Sequence, residues 1–159
     1  MTTVTTSIYK TAGATATNSG PSSTATANIV DYSVALPQDV NTIKWDCPSM
    51  TSFTTNNLNP NQNFNVACGV DYANSIAAVQ GGVVADIVGI LAYSAQDCME
   101  ACSYMNQLNG QWGFGTSCWG ITFSQDMSQS YAHHGANCWL KNGTAVNPIS
   151  CTACLSASL

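Results

Sequence analysis

The stretch Ser94-Ala-Gln-Asp-Cys98-Met-Glu-Ala-Cys102 joins a helix start to two cysteines, and the other segments can be arranged around it. Its serine hydroxyl can accept from an unpaired amide, and its aspartate lies near the positive end of a helix, which is a capping-box pattern. The pattern predicts a helix over residues 95–106. Cys98 and Cys102 then share one face with Cβ atoms about 5 to 6 Å apart, whereas a disulfide needs about 3.5 to 4.5 Å. Each cysteine must therefore bond to a different partner across the core.

Two later segments, residues 118–123 and 137–141, combine strand character with a cysteine each. One helix would thus be joined to two strands. If the cysteines face the helix, alternation along the strands places four large side chains on the opposite face of the sheet. These are Trp119, Ile121, Phe123 and Trp139. That face is expected either to be covered by the N-terminal segments or to form an exposed aromatic platform.

All eight cysteines lie between Cys47 and Cys154. A zinc site would favour paired C-x2-C motifs, and only Cys151 and Cys154 have that spacing. Four disulfides formed in an oxidising compartment are the better interpretation, and they predict a secreted, extracellular or cell-wall protein. The first residues lack the basic start and apolar run of a secretory signal, so we expect a mature product or a fragment of a precursor. No apolar run approaches the roughly 20 residues that span a bilayer.

Residues 1–44, which we call the N-terminal arm, contain no cysteine and are rich in Ser, Thr and Ala. An O-glycosylated stalk is one interpretation. Residues 2–9 and 28–36 are instead rich in β-branched and aromatic side chains and are strand candidates. The folded module is expected to occupy residues 45–159 and to begin with a long-looped β-hairpin.

Only 7% of the residues are charged, and the formal net charge is −5. With three lysines and no arginine, a surface that tracks phosphates cannot be assembled, so nucleic acid and anionic membranes are poor partners. Soluble monomers normally keep charges interspersed on their surfaces. The low charge therefore predicts either glycans that solubilise the protein or association with copies of itself.

The cysteine-rich part resembles a PAN/apple domain of the kind found in secreted fungal proteins. The motifs that carry the resemblance span roughly residues 45–142: Cys47-Pro-Ser, Cys68-Gly-Val-Asp-Tyr72, Ser94-Ala-Gln-Asp-Cys98-Met-Glu-Ala-Cys102, Cys118-Trp-Gly-Ile-Thr-Phe123 and Asn137-Cys138-Trp-Leu-Lys141. The resemblance implies an α+β fold, a small disulfide-stapled antiparallel sheet curled around one helix, with a non-catalytic role in binding proteins or carbohydrates. It also implies the disulfides Cys102–Cys118 and Cys98–Cys138, and leaves Cys47 with Cys68 and Cys151 with Cys154. An apolar insertion at residues 73–85, the N-terminal arm and the terminal cysteine pair depart from the family pattern.

Few residues form a pattern typical of a catalytic, redox or metal site. His133 and His134 could bind a metal with Asp126 nearby, but adjacent histidines point in different directions and no third ligand has a recognisable spacing. Cys151-Thr-Ala-Cys154 has the spacing of a redox motif but lacks its βαβ context. Asp71 and Asp86 flank a common segment, but glycoside hydrolysis needs both acids in one cleft. Neither catalysis nor a cofactor or metal is expected.

Asn142-Gly-Thr144 is the one sequon in the chain, and it makes Asn142 a candidate for N-glycosylation. Trp119 and Trp139 are candidates for stacking on sugar rings or on a partner protein, with plain core packing as the alternative.

Two hypotheses follow. The protein is a non-catalytic extracellular module of the cell wall or matrix that contacts glycan or protein, or it is a structural subunit that forms filaments by donating its N-terminal arm to the sheet of a neighbour. An accessory glycan-binding module of a secreted enzyme is a weaker alternative.

Overall fold

The computed structural model describes residues 34–56, 60–113 and 115–159. Most of the N-terminal arm, including the strand candidate at residues 2–9, lies outside these ranges. The compact unit begins at Val34, and residues 34–36 form no strand. Ile43 is buried and its amide donates to the carbonyl of Gln125. The last part of the N-terminal arm therefore contributes to the folded module.

The fold is α+β, as expected, and the described residues form one six-stranded antiparallel sheet and two α-helices. The elements in chain order are β1 Ser52–Thr54, β2 Asn63–Asp71, β3 Asp86–Ile90, α1 Ala95–Trp112, β4 Gly120–Ser124, α2 Met127–His134, β5 Cys138–Lys141 and β6 Ile149–Ser158, with a 3-10 turn at Pro37–Asp39 before them. The strand order in the sheet is β1-β2-β6-β4-β5-β3. The predicted hairpin is confirmed as β1 and β2.

Helix α1 begins where the capping pattern predicts. The Ser94 hydroxyl accepts from the amide of Asp97 at 3.0 Å. The helix runs to Trp112, six residues beyond the predicted end. It stops at Gly113, whose left-handed φ of 69° glycine adopts with little strain. The buried face of α1 packs on the sheet and carries both cysteines.

The side of the sheet that faces α1 differs from the prediction. Ile121 and Phe123 lie in the same buried cluster as Cys98 and Cys102 of α1, and both are fully buried. The prediction that they face away from the helix, as contact residues, is therefore wrong. Strand β4 begins only at Gly120, so alternation cannot be extended backward to the irregular segment at Cys118.

The four disulfides join the pairs that were expected: Cys47–Cys68, Cys98–Cys138, Cys102–Cys118 and Cys151–Cys154. Two of them join α1 to β5 and to the residues just before β4, so that the helix is fixed to the centre of the sheet. Cys47–Cys68 ties the segment before β1 to β2.

Three features were not predicted. The chain end forms β6, which pairs with β2 and β4 in the middle of the sheet. The segment between β4 and β5 contains α2. Residues 73–85 fold back on themselves through the bridge Ala77↔Val83 and pack Val84 with Tyr72 in a second small core.

Candidate binding cleft

A polar cleft of about 410 Å³ opens beside the sheet, within the size range of small-molecule sites. Strand side chains form its floor, and the ends of α2 and of the 73–85 segment form its walls. Its lining residues are Asp71, Ala73, Asn74, Asp86, Thr122, Ser124, Ser130, His134, Trp139, Lys141 and Cys154.

Trp139 is the aromatic wall of the polar cleft. It is half-buried and pairs with Gly89 across β5 and β3. A Cβ added to Gly89 would lie 3.4 Å from the indole ring and 2.9 Å from the Cβ of Ala136, so the ring needs glycine beneath it. The His134 ring meets the indole edge-on, with centroids 6.0 Å apart. The close packing over Gly89 and the edge contact with His134 thus restrict the orientation of the indole.

Lys141 and Asp86 form a charged pair in the polar cleft, 2.5 Å apart. Lys141 is 4% exposed, and an ammonium carries three donors. Asp86 accepts a second bond, of 2.6 Å, from the Asn74 side chain. Among the described residues this is the one ion pair. The ammonium therefore has donors beyond the one that Asp86 takes.

Hydroxyl groups make up much of the remaining floor. Ser130 donates to Ser124 at 2.9 Å. Thr122 and Ser156 lie 2.9 Å apart, and both accept from the amide of Tyr72. The floor of the polar cleft is therefore an ordered set of donors and acceptors beside an aromatic ring.

Tyr72 lies under this floor, in the second core. Burial raises the pKa of its phenol above the ordinary 10.0, and a hydrogen bond with Ser158 opposes the rise. Burial thus disfavours the ionised form of this phenol relative to an exposed tyrosine.

The structure separates the predicted contact residues. Trp119 lines a different groove, together with Asn106 of α1 and Leu159. Ile121 and Phe123 are in the core. Of the four, Trp139 alone lines the polar cleft, so the four side chains do not share one exposed face.

The residues weighed for chemistry lie in different surroundings. His133 and His134 are exposed at the end of α2, and the described residues contain no group of three or more His, Cys, Asp or Glu arranged for a metal. Cys154, closed in a disulfide with Cys151, touches the polar cleft. Asp71 and Asp86 both line it, which the sequence left open.

The sequon has a structural use. The Asn142 side chain accepts from the amide of Ala85 at 2.7 Å and donates to the carbonyl of Val83 at 3.3 Å. Thr144 is buried, and its hydroxyl contacts Gln80. The sequon residues therefore hold the 73–85 segment in place, and glycosylation of Asn142 stays a prediction.

A second surface, the apolar groove, lies between α1 and edge strand β3 and has a volume of about 430 Å³. Its lining is apolar throughout: Val88, Ala101, Tyr104, Met105, Leu108 and Leu140. No strand among the described residues pairs with the outer edge of β3. This groove was missed because the long spacing from β3 to the end of α1 leaves no local pattern.

Within the described ranges, no helix has both the length and the apolar character needed to cross a membrane. No family model, curated protein or solved structure matches the chain.

Proposed function

We propose that the protein is a non-catalytic extracellular module, PAN/apple-like in its stapled helix, that binds a glycan of the cell wall or matrix in the polar cleft. The four disulfides fit an extracellular protein. A PAN/apple relationship is supported by the two disulfides that join α1 to the sheet.

The observation that carries the proposal is that Trp139 and the Lys141–Asp86 ion pair line the same cleft. Sugar rings have an apolar face that suits an indole and hydroxyls that both donate and accept. A hydroxyl beside this pair can accept from the ammonium while it donates to the carboxylate. The restricted orientation of Trp139 lowers the entropy lost on binding.

A non-catalytic role is supported by the engagement of Asp86. Hydrolysis of a glycosidic bond needs one carboxyl group to protonate the leaving oxygen. Both partners of Asp86, Lys141 and Asn74, are already within hydrogen-bond distance. Asp71 alone would have to supply acid and nucleophile.

The test is calorimetric titration of the folded, oxidised protein with short oligomers of β-glucan, chitin and chitosan. Wild-type protein is expected to bind at least one series. Trp139→Ala should lower its affinity by at least about fivefold, because stacking of an aromatic ring contributes on the order of 1 kcal/mol or more. Products of the titration are checked for cleavage, which is expected to be absent.

Trp112→Ala is the matched control, because Trp112 is 71% exposed and lies outside the polar cleft. It should leave affinity unchanged. Trp139→Phe, which keeps a ring, separates lost stacking from misfolding. The proposal fails if no oligomer binds, or if Trp139→Ala folds and binds as tightly as wild type.

A second candidate, filament formation by donation of the N-terminal arm, is favoured by the apolar groove. The open edge of β3 offers backbone donors and acceptors to an added strand, and Val88, Tyr104 and Leu108 beside it are all more than 40% exposed. Residues 1–33 contain one lysine and one aspartate among Thr, Ser and Ala. Such a segment suits main-chain pairing with a neighbouring copy.

A further inference from the structure

We infer that the polar cleft selects a cationic amino sugar, a glucosamine-type residue with a free amine, over neutral or N-acetylated sugars. This inference rests on the proposed glycan binding and adds the chemical class of the ligand. It depends on the negative charge that remains in the polar cleft after Lys141 has paired with one of the two carboxylates.

Two carboxylates, one ammonium and one imidazole, that of His134, line the polar cleft. The ammonium of Lys141 is paired with Asp86. The Asp71 carboxylate has no ion pair and no side-chain hydrogen bond within residues 34–56, 60–113 and 115–159. A ligand that brings one positive charge would balance the cleft, whereas an acidic sugar would meet repulsion.

The position of Asp71 suits a fixed contact. It is the last residue of β2 and pairs with Ile149 of β6, so its backbone is held by the sheet. The adjoining Ala73 and Asn74 also line the polar cleft. A carboxylate on a rigid strand end loses little freedom when it binds an ammonium.

Trp139 would also favour a protonated amine. An ammonium near an indole face is attracted to the ring quadrupole. The whole chain adds a weaker, longer-range attraction, because eight acidic residues outnumber three basic ones. A cation is thus favoured by the site, its aromatic wall and the net charge alike.

The experiment compares three oligomers of equal length by calorimetry in mildly acidic buffer, in which the sugar amine is protonated: chitosan, chitin and β-glucan. Chitosan is expected to bind at least about fivefold more tightly than the other two. Asp71→Asn should remove that preference, because it should lower the affinity for chitosan at least about fivefold more than the affinity for the two neutral oligomers.

Asp39→Asn is the matched control, because it makes the same change in net charge on the exposed 3-10 turn, outside the polar cleft. It should keep the preference for chitosan at low and at moderate salt. A loss of preference in both variants would mean steering by net charge alone and would overturn the inference.

The two proposals fail in different ways. The amino-sugar inference is overturned, and glycan binding is kept, if all three oligomers bind with equal affinity, Asp71→Asn changes none of these affinities and Trp139→Ala lowers them. Absence of binding by every oligomer overturns glycan binding itself, and the inference with it.

Discussion

Tyr72 shows how one buried side chain couples the sheet to pH. Its pKa is raised by burial, with the Ser158 hydrogen bond opposing. When a group has a higher pKa in the folded state, its stabilising contribution is complete below the unfolded pKa and is lost as pH rises through the folded value. The free energy of unfolding should therefore decrease above about pH 10, the ordinary tyrosine value.

Tyr72→Phe should remove this part of the alkaline decrease, and should lower stability at neutral pH by about 1 kcal/mol through loss of the bond to Ser158. Urea unfolding from pH 7 to about pH 11 measures both effects. Tyr131→Phe, which changes an exposed tyrosine of α2, is the control and should follow wild type. An identical alkaline decrease in Tyr72→Phe and wild type would contradict the assignment.

At the scale of elements, α1 shows what local sequence determines and what it does not. Its start was predictable, because the Ser94 cap is encoded within four residues. Its end was not, because the final turns are supported by residues beyond the helix: the Asn109 side chain accepts from the amide of Gly115 and donates to the hydroxyl of Ser117. Gly110 within those turns also weakens any local signal.

In the sheet, too, some features could be predicted from local sequence and others could not. Trp139 was correctly placed opposite Cys138, because β5 contains both and alternation holds inside a strand. Ile121 was misplaced, because its reference residue Cys118 lies outside β4. Strand β6 was missed, because half of its ten residues are Ser or Ala, which gives a weak local strand signal, and it is held by two neighbouring strands. The polar cleft could not be predicted from the sequence, because its walls come from segments that are distant in the chain.

The disulfides of α1 give a prediction at this scale. Cys98 and Cys138 are 40 residues apart in the sequence, whereas Cys151 and Cys154 are three apart. If a disulfide acts mainly by restricting the unfolded chain, removing the first should cost about 2 kcal/mol more than removing the second. The buried Cys98 and Cys138 side chains add a packing loss in the same direction.

The paired variants C98A/C138A and C151A/C154A are compared by guanidinium unfolding, with mass spectrometry to verify that the other three disulfides remain. The expected order is wild type, then C151A/C154A, then C98A/C138A. Equal losses in the two variants, or the reverse order, would contradict the view that α1 is held to the sheet by its disulfides.

At the scale of the whole molecule, low charge and the apolar groove act together. A net charge of −5 spread over 159 residues, with 7% of them charged, gives weak repulsion between copies. The groove beside β3 then presents apolar side chains and open backbone groups on one edge. The end of the sheet at β1 has the same open backbone, but it is only three residues long. Association is therefore expected at β3.

Val88→Lys tests that expectation, because it places a charge on the edge strand inside the apolar groove, the device by which natural sheets block edge pairing. Light scattering and negative-stain microscopy of the full-length protein should show large assemblies in wild type and their loss in Val88→Lys. Val79→Lys, at a 65% exposed valine outside the groove, should assemble like wild type. Removal of residues 1–33 should abolish assembly as Val88→Lys does, if the donated strand comes from the N-terminal arm. Assemblies that persist in the truncated protein but vanish in Val88→Lys would place the contact between two β3 edges instead, and a wild-type monomer would exclude the filament.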